Sequence, residues 1–229
     1  MRTKALLCAA GLLAAGVATS MAQSNVYSLN VVGYVTTTFT NNGAGYTIAN
    51  TPLVYTDNSL TNVLDPAGTL PNNTRVLKWD TAVQNFVTYT KSFGSWGANA
   101  TQQLPNGTGY FVRNVSASVF NVTYVGEVPQ GNLTNILASN GAAYTLTGSK
   151  VPQQGFVVDL GAIASNNDRV LRWDTTVQNF VTYTKSFGSW PNNATSDPVK
   201  GPLIKVGEGF FYRNVSGTAR FERSFTVAP

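Results

Sequence analysis

The feature that most constrains this chain is a passage written twice. Residues 75–96 read RVLKWDTAVQNFVTYTKSFGSW and residues 169–190 read RVLRWDTTVQNFVTYTKSFGSW, differing only at Lys78/Arg172 and Ala82/Thr176, with a constant offset of 94. Identity this close marks duplication of one structural unit, so the fold must hold that unit twice. Weaker correspondences extend it: residues 32–35 match 125–128, 42–47 match 140–145, and 107–114 match 207–214, at offsets of 93, 98 and 100. The changing offset puts insertions between the matched blocks, where surface loops tolerate them. The expected division is a leader over 1–22, one β repeat over 23–125 and a second over 126–229.

The repeated residues read as strands. Residues 86–90 (Phe-Val-Thr-Tyr-Thr) are β-branched or aromatic throughout, and 27–39, 110–113 and 119–125 continue the pattern, with second-copy counterparts at 180–184, 210–213 and 219–227. Asn-, Gly- and Pro-rich stretches punctuate them, and helical periodicity is not sustained beyond one short candidate at 59–64. Residues 80–85 read as a six-residue hairpin loop, with Asp80 and Asp174 placed to open Asx turns. The pairs Gly107/Gly109 and Gly207/Gly209 precede strands rather than helices, so they read as turn glycines and not as a phosphate cradle. The expected fold is all-β: two tandem homologous β-sandwich-like repeats of about 100 residues, packed against each other, with no Pro- or Ser-rich linker between them.

The N-terminus reads as an address. Arg2 and Lys4 precede an apolar, small-residue run over 5–18, and Ser20-Met21-Ala22 then offers the small residues a signal peptidase reads. The run is too short to span a bilayer, and no transmembrane stretch follows it. Cys8 lies inside this segment, so residues 23–229 contain no cysteine, and the whole chain contains no histidine. Without disulfides, core burial must hold the fold together, which a chain of this length achieves. The expected location is secreted or cell-envelope, periplasmic or on the outer surface, in a bacterial setting. The eight Asn-x-Ser/Thr sequons then read as a by-product of an Asn/Thr-rich β composition.

Composition removes whole classes of chemistry. Without histidine or mature cysteine there is no Ser-His-Asp triad, thiol nucleophile or His/Cys metal site. The net charge of +5, less Arg2 and Lys4, leaves +3, and the cations are scattered, which excludes a nucleic-acid footprint. A carboxylate-pair mechanism needs two acids per repeat, and the alignment supplies one, Asp80/Asp174; a site confined to the second copy would draw on Asp197, Glu208 and Glu222. No calcium-loop pattern occurs. The expectation is therefore no enzyme, no catalytic residue, no metal and no cofactor.

The aromatics offer the sharper candidates. All four tryptophans lie in the duplicated passage. Trp79 and Trp173 end a strand and read as core. Trp96 and Trp190 sit among Gly, Ser and Asn, where they either plug the end of a sandwich or, with Tyr89 and Tyr183, form a platform that stacks on sugar rings. Polysaccharide and envelope or matrix protein are the partners this pattern suggests.

The motifs also carry a resemblance. The opening Asn30-Val-Val-Gly-Tyr-Val35, the Lys/Arg-Trp-Asp hairpin, the Ser-Trp that follows and the Gly-Glu-Gly-Phe-Phe strand at 207–211 resemble a group of uncharacterised secreted bacterial β-rich repeat proteins. The resemblance covers nearly all of 23–229. It implies an exported β-sandwich-like module with a structural or interaction role, carbohydrate binding being the alternative, and it brings no catalytic residues.

Overall fold

The computed structural model describes residues 31–40, 45–138, 143–215 and 220–227. The leader over 1–22 and the matched segments at 42–44 and 140–142 lie outside them. The described chain is all-β and antiparallel. Its elements are β1 (Val32–Phe39), β2 (Tyr46–Asn50), α1 (Leu60–Leu64), β3 (Arg75–Asp80), β4 (Asn85–Thr90), a 3-10 turn (Gly97–Thr101), β5 (Gly109–Arg113), β6 (Phe120–Glu127), β7 (Gly131–Ile136), β8 (Tyr144–Gly148), β9 (Gly155–Phe156), β10 (Arg169–Asp174), β11 (Asn179–Thr184), β12 (Ser196–Asp197), β13 (Gly201–Ile204), β14 (Gly209–Arg213) and β15 (Arg220–Phe225). The short helix falls where residues 59–64 suggested it. Among the described residues no helix is long and apolar enough to cross a membrane.

Two four-stranded sheets dominate, with the orders β2-β5-β3-β4 and β8-β14-β10-β11. Two-stranded ribbons β1–β6 and β7–β15 and a small sheet β9-β13-β12 complete the set. Period two along a strand explains the layering. In β5, Tyr110 and Val112 point to one face, where they join Val35, Phe39 and Tyr124 of the β1–β6 ribbon and Leu60, Val63 and Leu64 of α1. Phe111 points to the other. There Ile48, Phe111, Leu146 and Phe211 form one cluster that draws residues from both sheets, with Trp79, Phe86, Trp173 and Phe180 packed around it. Strands apolar on both faces are why 109–113 and 209–213 lack polar alternation.

Reciprocal hydrogen bonds join the two sheets. Tyr144 N donates to Gln84 Oε1 (2.7 Å), and Tyr144 O accepts from Gln84 Nε2 (3.1 Å) and Trp79 Nε1 (2.9 Å). Tyr46 makes the same set: its N donates to Gln178 Oε1 (2.6 Å), and its O accepts from Gln178 Nε2 (3.1 Å) and Trp173 Nε1 (2.9 Å). Asn50 N donates to Gly207 O (2.9 Å) and Gly148 N to Gly107 O (3.0 Å). The two outer strands β2 and β8 are thereby covered.

Two expectations need correction here. The β3–β4 and β10–β11 hairpins pair through Asp80–Asn85 and Asp174–Asn179, so each loop has four residues, not six, because the ladder continues to the Asx residue itself. The glycine pairs also divide their labour. Gly107 and Gly207 have φ of +83° and +71°, as turn glycines should. Gly109 and Gly209 instead let backbones meet: a Cβ on Gly209 would lie 2.5 Å from Ala49 O, and one on Gly109 would lie 2.9 Å from Thr147 N and O. Gly209→Ala should therefore cost about 1–3 kcal/mol as an overpacking defect. Gly94→Ala, in open space at φ +78°, should cost about 1 kcal/mol from its backbone alone. Urea unfolding of the two variants checks the order, and equal losses would remove the close-approach explanation.

Candidate functional site

The structure moves the four proposed platform residues inside. Trp96 and Trp190 are 4% and 3% exposed, and Tyr89 and Tyr183 are 8% and 4% exposed. No ring face is left to stack on a sugar, so the platform role of Trp96, Trp190, Tyr89 and Tyr183 is set aside. Burial matches the plug for both: Trp96 joins the core cluster that holds Leu60, Leu64 and Tyr89, and Trp190 the one that holds Val157, Tyr183 and Ile204. Trp96 Nε1 donates to Asp65 Oδ2 (2.9 Å), which also accepts from Lys91 Nζ (2.7 Å). In the second copy Trp190 Nε1 has no partner among the described residues, and Lys185 Nζ donates to Ala164 O (2.8 Å). Trp79 and Trp173, expected as core, are half-buried at the junction between the two large sheets.

The carboxylates are occupied in building the fold. Asp80 Oδ1 accepts from Ala82 N (2.8 Å) and Asp174 Oδ1 from Thr176 N (2.8 Å), the Asx turns read from the sequence. The backbone N–H groups of Thr176 and Val177 hold the Asp174 carboxyl below its ordinary range, and those of Lys200 and Val199 do the same for Asp197. Glu208 takes Arg172 through Nε (2.8 Å) and Nη2 (3.0 Å), and Glu222 takes Arg220 (2.6 Å). Asp168, fully buried, accepts from Tyr212 OH, Ser165 N and Val215 N. Burial and then the Asp168 charge push the Tyr212 phenol far above its usual range. Asp197, Glu208 and Glu222, the trio for a second-copy site, thus each have a separate partner. Among the described residues no three acidic, His or Cys side chains group as metal ligands.

What the sequence reading passed over is the turn after β4. Ser92 N donates to Ser95 O (2.8 Å) and Ser95 N to Ser92 O (2.9 Å), closing a two-residue turn on Phe93 and Gly94. Both central residues have positive φ, +50° and +78°, the signature of a type I′ turn, which favours Asn-Gly rather than Phe-Gly. Gly94 N donates to Asn72 Oδ1 (2.6 Å), which pins the turn. Phe93 stands fully in solvent at 100% exposure, and Phe187 does the same at 101%. The second turn repeats every detail, with φ of +50° and +84° at Phe187 and Gly188 and a 2.7 Å bond from Gly188 N to Asn166 Oδ1. A bulky residue held left-handed with its side chain in solvent is strain of the kind found at functional sites. Phe93→Asn with Phe187→Asn should raise stability by about 1 kcal/mol per site, because Asn tolerates this backbone region. A thermal melt checks it, and destabilisation would mean the rings have an intramolecular role.

The turns belong to a larger exposed surface. Val83, Val87 and Phe93 are exposed in the first copy and Val177, Val181 and Phe187 in the second. Within the duplicated passage the solvent-facing residues are the same at every position except Ala82/Thr176. Buried positions elsewhere have diverged: Thr74 corresponds to Asp168, Tyr110 to Phe210 and Val112 to Tyr212.

A cleft of about 400 Å³ adds a second feature, bounded by Thr36, Thr38, Arg172, Trp173, Lys205 and Glu208. No protein-family model matches the chain, and no curated protein matches it.

Proposed function

We propose that this is an exported, non-catalytic β-sandwich protein of two homologous repeats, with a structural or interaction role at the cell surface or in a secreted matrix. It would belong with the secreted bacterial repeat proteins it resembles. The observation that carries the reading is the pair of pinned turns that hold Phe93 and Phe187 in water. Exposed aromatics on a rigid scaffold suit contact with another macromolecule. The commitment of Asp65, Asp80, Asp168, Asp174, Asp197, Glu208 and Glu222 to turns, pairs and buried bonds supports a non-catalytic role. Cell fractionation tests it: the protein should be retained with the envelope or matrix, and Phe93→Ser with Phe187→Ser should release it. Recovery of the unaltered protein as a free monomer in the medium would count against the reading.

One observation favours a second reading, saccharide binding. The cleft sets the side of Trp173 beside threonine hydroxyls and the Lys205 ammonium, a mix of apolar and directional polar groups suited to a sugar. A saturable shift in tryptophan fluorescence on titration with soluble polysaccharides, weakened by Lys205→Ala, would support it. No shift with any polysaccharide would remove it.

A further inference from the structure

The two large sheets have four outer strands, and the described residues cover two of them. β2 and β8 are closed by the bonds at Tyr46, Tyr144, Asn50 and Gly148. β4 and β11 are the other outermost strands, and among the described residues no backbone group pairs with their outer sides. The bonding phase is set by Lys91, whose N donates inward to Thr74 O (3.0 Å) and whose O accepts from Asn73 N (2.8 Å). Alternation then turns Asn85, Val87 and Tyr89 inward, and the N–H and C=O groups of Phe86, Thr88 and Thr90 face the open edge. Phe86 N accordingly donates to the side chain of Asn85 (2.8 Å) rather than to β3, as Phe180 N does to Asn179 (2.8 Å). Open edges are normally blunted with charge, proline or a bulge. Residues 85–90 and 179–184 read NFVTYT in both copies, with none of these, and the ammonium of Lys91 just beyond is buried against Asp65.

These edges complement themselves. An antiparallel pair centred on Thr88 opposite Thr88 sets Phe86 against Thr90 and joins the outward-facing groups of both strands. Val83 and Phe93 each lie five residues from Thr88, at opposite ends of the strand. The pairing therefore brings the Val83 turn of one copy, 69% exposed, to the fully exposed Phe93 turn of the other, at both ends. Thr opposite Thr is a favourable cross-strand pair, and no like charges meet. The same holds about Thr182, with Val177 and Phe187. Identity of exposed residues between the copies is what a shared partner requires.

Building on the structural role above, we infer that β4 and β11 are assembly edges, each adding to β4 or β11 of a second copy of this chain. Two edges per molecule make it bivalent, so the product is a linear polymer rather than a closed pair. Sedimentation velocity of the purified exported protein over a range of concentrations tests this. Species larger than a dimer should grow with concentration. Thr88→Pro should stop growth at the dimer, and Thr88→Pro with Thr182→Pro should leave a monomer. Neither proline removes a bond within the sheet, because these N–H groups face outward. Should the prolines impair folding, Thr88→Lys with Thr182→Lys sets like charges opposite each other. That variant should be monomeric, and mixing it with Thr88→Glu/Thr182→Glu should restore assembly. A wild-type monomer at every concentration, or wild-type assembly by the lysine variant, overturns the inference. A monomer still retained by the envelope would fail this inference alone, whereas a monomer free in the medium would fail the structural reading as well.

Discussion

Replacing Lys91 by Met is expected to lower the unfolding free energy by about 3–5 kcal/mol, whereas the same change at Lys185 should cost about 1 kcal/mol. The two lysines occupy the same place in an identical passage, so local sequence cannot distinguish them. Their surroundings do. Lys91 and Asp65 are each 1% exposed and lie 2.7 Å apart. Removing the ammonium strands a buried carboxylate with only Leu70 N and Trp96 Nε1 as donors. Lys185 is half-buried and loses only a bond to the Ala164 carbonyl. Denaturant unfolding of the two single variants measures the difference directly. Equal losses would mean that the Asp65 pair does not behave as a buried ion pair.

Phe111→Ala should cost about 3–5 kcal/mol, and Phe211→Ala a similar amount. Each ring is nearly buried and lies among aromatics of both sheets: Phe111 against Phe86 (5.6 Å) and Trp173 (5.2 Å), Phe211 against Trp79 (5.0 Å) and Phe180 (5.7 Å). The two rings also neighbour each other at 6.5 Å, so their losses should couple rather than add. Because this cluster belongs to both sheets, either substitution should shift one common transition. A variant that unfolds in two separate steps, with only one moved, would contradict that linkage.

Much of the local structure was legible from residue type. Alternation and β-branching located β4, β5 and β6 with their counterparts, and the Asp at the end of Lys/Arg-Trp-Asp marked its turn. What was not legible depends on partners far along the chain. Trp96 and Trp190, among Gly, Ser and Asn, look like loop aromatics until residues distant in the chain, Leu60 and Leu64 for one and Val157 for the other, join them in a core cluster. Gly109 and Gly209 look like turn residues, because the backbone they approach belongs to the other half of the chain. Phe93 looks like one more apolar residue in an aromatic passage. Only the positive φ at Phe93 and Gly94 shows that it is thrust outward. β7 was missed because its residues, Gly-Asn-Leu-Thr-Asn-Ile, are too polar to read as a strand without β15 beside them.

If the passage appears twice because both open edges meet the same partner, another copy of this chain, the edge amides should respond to protein concentration. Residue-resolved amide hydrogen exchange tests it most directly. At low protein concentration the outward amides of Thr88 and Thr182 should exchange freely, while those of Val87 and Tyr89, in the inner ladder, stay protected. Raising the concentration should protect Thr88 and Thr182 and leave Val87 and Tyr89 unchanged. Free exchange at Thr88 and Thr182 under conditions where the protein is assembled would contradict the account.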